Sequence, residues 1–472
     1  MNQPRRRYIL TNFFIYSHVF LFLIPWQPVP YKPSWLGPIN AWIFLFLCLS
    51  TAFCVEVLLL GTIRKVSFFL SFVLVWFVVI NIMGITAGFL DINPVRRHIP
   101  VLIQIARAIP LADGLLIYYL LIRNNWGIKE YEKLFFMFLI PGMMIAVESF
   151  LIFYLQLPLG IEQYSLREHG KVHWFVSVFI VHATFPGPIG ILVAGISYYF
   201  YTRFRKPIYL ICLIFGVLLV ISSVTLSAYL SLVAGIGFVF VYWLRSRATK
   251  QNQALLVGIT LISPFVIFMS LIMIIFIGSQ YRSNLSNLDN LKEKIHRRSY
   301  QIVRSCDVLV NYPIFGAGPG IGYYYAYSKY TEPIVSSAMS NIIPPRFQAS
   351  DIDEYQDDPY HGIHYSLHSV FTNFIIDLGI MGLLLFLYMI YRGMIILYGL
   401  FFKSGSARYD RSLLLSFSTL MAMLLALCIF ISAKPKFYPF WLFAILLSFS
   451  GYMHKKILRK KPILKATPSM DI

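Results

Sequence analysis

Three histidines stand close together late in the chain, in the stretch YHGIHYSLHSVFTNFIIDLGIMG. They are His361, His364 and His368, and a long apolar run follows them directly. Imidazole titrates near neutral pH, so a histidine at the mouth of an apolar span can act as a general base. An interfacial histidine that only forms hydrogen bonds is the alternative interpretation. A zinc site that adds Asp357 or Asp358 is a further alternative, although the spacing follows no familiar zinc motif.

A second group of side chains suited to chemistry lies some 60 residues earlier, where Arg297, Arg298 and Arg304 are close together. Arginine binds phosphate oxygens through two parallel hydrogen bonds and keeps its charge at any physiological pH. The three arginines are therefore candidate ligands of a phosphate-containing substrate. The alternative is a solvated helix face, or ion pairs with neighbouring carboxylates. Those carboxylates are Asp289, Glu293 and Asp307.

The elements that must position these groups are membrane spans. The chain has 472 residues, of which 58% are hydrophobic and only 13% are charged, a balance that soluble domains do not show. Apolar runs of about 20 residues, the length that crosses a bilayer, recur along the sequence. We predict an all-α polytopic membrane protein with about twelve helices. The predicted spans are 9–26, 40–60, 67–88, 100–122, 134–157, 172–201, 207–225, 226–244, 254–278, 367–391, 411–433 and 437–453.

The distribution of lysine and arginine predicts the orientation. With the N-terminus inside, the inner segments hold 24 of these residues and the short outer loops hold 7. This asymmetry follows the positive-inside rule, so both termini are expected in the cytoplasm. The net charge of +20 then reflects topology and contact with anionic lipid, and no nucleic-acid partner is expected.

One large outer loop interrupts the spans. Four regions are predicted: helices 1–9 in 1–278, the loop in 279–366, helices 10–12 in 367–453, and a basic cytoplasmic tail in 454–472. A loop of about 88 residues is too long for a simple connector and is expected to be functional. Both groups of candidate residues lie in it or at its end.

Two stretches resemble the O-antigen ligase and polymerase superfamily of bacterial envelope glycosyltransferases. RSYQIVRSCDVLVNYPIFGAGPG (298–320) is similar to the family's arginine, amphipathic helix, proline and Gly-x-Gly-x-Gly turn. HSVFTNFIIDLGIMG (368–382) is similar to its histidine, apolar stretch, acidic residue and Gly-x-x-Gly pattern. His368 matches the family histidine and Asp377 the acidic position. The sequence departs from the family at Ala228, where an arginine is common.

The resemblance implies a membrane architecture like that of GT-C glycosyltransferases and a transfer reaction on the outer face of the inner membrane. The donor would be an undecaprenyl-diphosphate-linked glycan and the acceptor another glycan, with no cofactor and no metal. Membrane lipids and other polysaccharide assembly proteins are further expected partners. The absence of an arginine at position 228 favours a polymerase of O-antigen or exopolysaccharide over a ligase to lipid A–core or protein.

The resemblance and the residue types together suggest roles. Arg298 would stabilise the leaving diphosphate, and His368 would activate the acceptor hydroxyl. Arg297 and Arg304 would assist Arg298, and His364 would orient substrate. Two tyrosines of the loop are candidate platforms for sugar rings, or else members of an interfacial aromatic belt. They are Tyr323 and Tyr324.

A buried charge in an earlier span is a further candidate. Arg107 lies seven residues below the predicted outer end of its span, about 10 Å deep. It either pairs with Glu148, which is predicted at similar depth, or replaces the arginine missing at position 228. The rival interpretation of the whole chain is a transporter of lipid-linked oligosaccharides. Transporters of this size commonly show repeated halves, and none is visible here.

Overall fold

The computed structural model describes the larger part of the N-terminal half and selected segments of the C-terminal half. The continuous segments are 8–22, 37–61, 101–153, 186–223, 226–247, 302–318, 331–341 and 376–385. Isolated positions are described within 75–86, 387–391, 415–420 and 445–452, and at 155. No strand occurs among these residues, which confirms the all-α class for the part of the chain described.

Nine helical stretches are named here in chain order. They are α1 (Ile9–Phe22), α2 (Gly37–Leu60), α3 (Val101–Arg123), α4 (Ile128–Phe153), α5 (Pro186–Phe204), α6 (Pro207–Ser223), α7 (Leu226–Arg247), α8 (302–311) and α9 (Ile334–Ala338). The predicted spans 40–60, 100–122, 207–225 and 226–244 agree with α2, α3, α6 and α7 within about three residues. The prediction for 254–278 lies outside the described residues.

Helix α4 begins six residues before the predicted span 134–157. Its first turn, IKEYEK, is polar, and the Gly127 backbone N–H donates to the Glu130 carboxylate at 2.9 Å. A polar first turn is invisible to a search for apolar runs, which explains the difference. Among the described residues, Ile128–Leu151 within α4 is the one stretch long and apolar enough to cross a bilayer. The twelve-span topology remains a prediction.

Prolines begin two of the helices. Pro186 and Pro207 are the first residues of α5 and α6, where proline is favoured because the first turn needs no intrahelical N–H donor. Residues 172–185, the first part of the predicted span 172–201, lie outside the described part of the chain. Between α5 and α6, Arg205 adopts a left-handed conformation with φ +56°.

Small residues allow α5 and α6 to pack closely. A Cβ added at Gly190 would lie 2.8 Å from the Gly216 carbonyl oxygen, and one at Gly216 would lie 2.6 Å from the Ala194 nitrogen. Contacts through small residues are the usual way for helices to approach in a membrane. Around this pair the core is aromatic, and its most deeply buried large side chains include Tyr131, Phe138, Tyr199, Phe200 and Phe449.

Helices α1, α2 and α3 are joined by a buried polar cluster, called here the Glu56 cluster. Glu56 accepts hydrogen bonds from the Thr11 backbone N–H at 3.0 Å and the Thr11 hydroxyl at 2.8 Å. Arg123 donates to the same carboxylate at 3.1 Å, and each of the two charged side chains is at most 4% exposed. The guanidinium also lies 4.5 Å from the Tyr8 ring centroid. In the predicted topology this cluster is at the cytoplasmic ends of the helices.

A second buried polar contact joins α1 to α3. His18 Nε2 and Asp113 Oδ1 are 3.1 Å apart, and both side chains are at most 2% exposed. The His18 Nδ1 atom is 2.8 Å from the Phe14 carbonyl oxygen. This pair was not predicted from the sequence, because His18 and Asp113 are each an isolated polar residue within an apolar run. Polar residues inside predicted spans are the signal that indicates such pairs.

Candidate functional site

Helix α8 and the short helix α9 are fastened together by one carboxylate. Asp307 is fully buried, and its Oδ1 accepts the backbone N–H groups of Val335 at 2.6 Å and Ser336 at 3.1 Å. Its Oδ2 accepts from Arg304 Nη1 at 2.7 Å. Arg304 also donates to the Ser336 hydroxyl at 3.3 Å. The ion pair with Asp307 was the alternative considered for Arg304, and it is the contact that the structure shows.

Asn311, at the end of α8, makes further contacts with the same segment. Its side-chain amide donates to the Glu332 carbonyl oxygen at 3.0 Å, and its side-chain oxygen accepts the Glu332 backbone N–H at 3.3 Å. Residues 302–311 and 331–341 of the large loop therefore form one ordered unit. The loop has its own internal structure, as its length suggested.

The turn after α8 is joined to the 376–385 segment by backbone hydrogen bonds, and this junction is called here the glycine clasp. Ala317 N–H donates to the Ile376 carbonyl oxygen at 2.6 Å, and Gly318 N–H donates to the Asp377 carbonyl oxygen at 3.0 Å. In return, Ile380 N–H donates to the Pro313 carbonyl oxygen at 2.9 Å. The two motifs singled out in the sequence thus meet in space.

Two glycines with positive φ make the glycine clasp sterically possible. Gly316 has φ +62° and Gly379 has φ +60°, a left-handed conformation that favours glycine. A Cβ on Gly316 would overlap the Gly379 nitrogen and lie 2.7 Å from the Ile376 carbonyl oxygen. A Cβ on Gly379 would lie 2.7 Å from the Gly316 nitrogen and the Pro313 carbonyl oxygen. Both positions exclude any side chain.

The left-handed turn at Gly379 also accounts for the hydrogen bonds. In an uninterrupted α-helix the Ile376 carbonyl would accept from Ile380 N–H, four residues on. At the glycine clasp this carbonyl accepts from Ala317 and the Ile380 N–H donates to Pro313, so both buried groups have partners. Helical bonds resume at once, because Leu383 N–H donates to the Gly379 carbonyl oxygen at 3.3 Å.

Most of the predicted site residues lie outside the described part of the chain. These are Arg297, Arg298, Tyr323, Tyr324, His364 and His368. In sequence, Arg298 precedes the first described residue of α8 by four positions, and His368 precedes Ile376 by eight. An extended chain of these lengths reaches at most about 14 Å and 28 Å. The glycine clasp therefore limits how far apart the two predicted catalytic residues can lie.

The structure describes some of the residues that were singled out in the earlier spans. Arg107 lies in the first half of α3, and its side chain is outside the part described. Glu148 in α4 is buried, at 7% exposure. Ala228 in α7 is fully buried against α5 and α6, in a cluster with Ile191 and Val220. The position that often holds arginine in the family is therefore packed against helices in this chain.

Cys306 lies beside Asp307 on α8 and is accessible to solvent. Partial burial raises the pKa of its thiol, and the nearby Asp307 carboxylate raises this pKa further. Both effects disfavour the thiolate, which makes Cys306 a poor nucleophile at neutral pH. Among the described residues, no group of three His, Cys, Asp or Glu side chains is arranged to hold a metal ion.

Comparison with protein families finds a match to part of the chain. Residues 208–387, which are 180 of the 472 residues, match the model of the O-antigen ligase family, a family of integral inner-membrane glycosyltransferases. The matched region runs from α6 through the glycine clasp and includes both sequence motifs. This match confirms the resemblance to the O-antigen ligase and polymerase superfamily that was seen in the sequence. No curated protein matches the chain.

Proposed function

We propose that the protein is a polymerase of O-antigen or exopolysaccharide repeats that acts on the outer face of the inner membrane. The donor is an undecaprenyl-diphosphate-linked glycan, and no metal or cofactor is required. The observation that supports the proposal best is the glycine clasp. It joins the histidine-led motif to the arginine-led motif by three hydrogen bonds, inside the region that matches the family. Two segments that contribute to one reaction need such a fixed relation.

The reaction joins two glycans without a nucleotide sugar. The acceptor hydroxyl oxygen attacks the anomeric carbon of the donor, and the bond between that carbon and the diphosphate oxygen breaks. His368 takes the hydroxyl proton, and undecaprenyl diphosphate leaves with its electron pair. Arg298 stabilises the negative charge that develops on the departing oxygen. Arg297 assists through a second positive charge, while His364, Tyr323 and Tyr324 orient the sugars.

Arg304 has a different role from Arg297 and Arg298 in this mechanism. Its guanidinium is 6% exposed and already donates to Asp307 and Ser336. A phosphate that used this arginine would have to compete with a buried carboxylate. We infer that Arg304 supports the loop and does not bind the diphosphate directly. Arg107 is the proposed replacement for the arginine absent at position 228.

Ligation is the second candidate, because the matching family model is described as O-antigen ligase. Polymerisation is preferred because Ala228 is packed among apolar side chains where a ligase of this family commonly has an arginine. The two reactions share donor chemistry and differ in the acceptor. Polymerisation extends another lipid-linked repeat, whereas ligation uses the lipid A–core or a protein.

Gel analysis of surface glycan from a deletion strain separates the candidates. The proposal predicts that long chains disappear while single repeats remain attached to the surface acceptor. Complementation with the wild-type gene must restore the long chains, and complementation with the His368→Ala variant must fail. Loss of all acceptor-linked glycan, with carrier-linked polymer retained, identifies a ligase. Loss of both long chains and single repeats from the outer face indicates a transporter.

A further inference from the structure

A tryptophan from outside the family-matched region contacts the glycine clasp. The ring of Trp76 stacks on that of Phe315, with centroids 5.0 Å apart and planes inclined by 18°. Phe315 directly precedes Gly316 in the turn. Trp76 and Phe315 both pack against the hydrophobic core that contains Leu378 and Met381, one residue before and two residues after Gly379. The turn of the large loop is therefore seated against the helix bundle.

Backbone hydrogen bonds fix the turn to the 376–385 segment. The N–H groups of Ala317 and Gly318 and the carbonyl of Pro313 all bond to that segment. Ala317 and Gly318 are buried, whereas Pro313 and Ile314 are exposed. Within this turn, the Phe315 ring packs against the hydrophobic core and against Trp76.

We propose that Trp76 is a positioning residue for glycan transfer. By supporting Phe315, Trp76 fixes the end of α8 relative to the 376–385 segment. The N-terminal helices thereby set the distance between the two motifs, although they lie outside the matched region 208–387. The positioning role rests on the proposed function, whereas the contact between Trp76 and the turn does not.

Photo-crosslinking tests this contact without any activity. Benzoylphenylalanine at position 76 should crosslink to the tryptic peptide 305–329, which contains the turn. The matched control is position 75, because Val75 is adjacent but 61% exposed and points away from the bundle. Crosslinking from 76 and not from 75 supports the contact between Trp76 and the turn. Equal crosslinking from both positions, or none from 76, overturns it.

Kinetics of the purified protein with lipid-linked repeat units test the positioning role. Trp76→Ala should lower kcat by roughly 10- to 100-fold, with KM for the donor little changed, because misplacement of reacting groups affects the chemical step. Trp76→Phe keeps an aromatic ring and should restore most of kcat. Lower yield of folded protein with unchanged kcat in Trp76→Ala would show a merely structural role and overturn the proposal.

Glycine variants provide the second kinetic arm. Gly316→Ala and Gly379→Ala should lower kcat at least as much as Trp76→Ala, since both add a Cβ that must open the glycine clasp. Gly61→Ala is the control for backbone strain alone, because Gly61 has φ +60° and nothing within 4 Å of a new Cβ. It should leave kcat unchanged, and an equal loss in Gly61→Ala contradicts the proposal. If wild-type protein transfers no glycan, the proposed function fails. The crosslinking result still tests the contact between Trp76 and the turn.

Discussion

Two junctions of the helix bundle are held by different kinds of contact. In the Glu56 cluster, which joins α1, α2 and α3, the Glu56 carboxylate accepts hydrogen bonds from Thr11 and Arg123. At the glycine clasp, three backbone hydrogen bonds join two segments, and side chains must be absent at Gly316 and Gly379. One junction depends on charge, the other on backbone conformation.

This difference shows what the family motifs contribute. The glycines of both motifs allow two backbone segments to approach closely, so they fix the relative position of these segments. Reactive groups are then expected beside the glycine clasp, where the two segments are held most rigidly. The Glu56 cluster also contains a buried arginine, yet its charge is already balanced by a carboxylate. A buried arginine by itself is therefore weak evidence for a phosphate site. Arg304, which is paired with Asp307, is a second example.

The largest effect on stability is expected from breaking the Glu56 cluster. Glu56→Ala should leave the Arg123 charge buried without its carboxylate and destabilise the protein by about 3–5 kcal/mol. The measurement is the apparent melting temperature of purified protein in detergent. Glycan transfer per folded molecule should remain close to wild type, because the cluster is remote from the glycine clasp in the predicted topology.

The matched control for Glu56→Ala is a more exposed ion pair of the same bundle. Arg203 Nε and Glu132 Oε1 are 2.8 Å apart, with side-chain exposures of 19% and 13%. Glu132→Ala should cost less than Glu56→Ala, since water can still reach the remaining charge. If both variants melt at the same temperature, burial does not explain the strength of the Glu56 cluster. If Glu56→Ala abolishes transfer at full protein yield, the separation of the two junctions is wrong.

A more local effect, confined to the unit of α8 and α9, is expected at Asp307, which combines both kinds of contact. Asp307→Ala should leave the Val335 and Ser336 amides without an acceptor, at about 1–3 kcal/mol for each buried group. Hydrogen exchange of these two amides should accelerate strongly. Asp307→Asn keeps an oxygen acceptor and should retain more protection. Unchanged exchange in Asp307→Ala would contradict the described unit of α8 and α9.

The smallest effect concerns the thiol of Cys306 and also tests the orientation of the loop. A membrane-impermeant maleimide should label Cys306 in cells with a permeabilised outer membrane, because the loop is predicted to face outward. Since its pKa is raised, the thiolate fraction at neutral pH is low, and labelling should accelerate as the pH is raised. The Cys306→Ser variant should lose this signal. Labelling that requires disruption of the inner membrane would overturn the topology.

Sequence patterns predicted the helices best where apolar runs end at basic residues. Arg123 ends α3, and Arg203 lies in the last turn of α5, both close to the predicted ends of spans 100–122 and 172–201. The early start of α4 was missed because its first turn is polar. Apolar length reports the part of a helix in lipid, and it says nothing about polar extensions into water.

Contacts between residues far apart in the sequence could not be predicted from sequence patterns. The two motifs were recognised, but their junction was not, because Gly316 and Gly379 are 63 positions apart and bond through backbone groups that every residue has. The stacking of Trp76 on Phe315 had no sequence signal, since aromatic residues are abundant throughout this chain. The ion pair of Arg304 was foreseeable from Asp307 three positions later and was kept as an alternative.

The central claim is that the histidine at the end of the large loop is the general base of a transfer reaction. Purified protein should be assayed with lipid-linked repeat units in the presence of EDTA, comparing wild type with His368→Ala and His361→Ala. His361 is the control because it lies in the same histidine group but does not match the family position.

His368→Ala should lower the rate by about 10²- to 10⁴-fold, the usual effect of removing a general base, while His361→Ala retains most activity. Both variants must be produced at the wild-type level. Turnover of His368→Ala at the wild-type rate would contradict the assignment of the base. Loss of wild-type activity in EDTA would contradict the metal-independent mechanism and favour the alternative in which the loop histidines bind a metal.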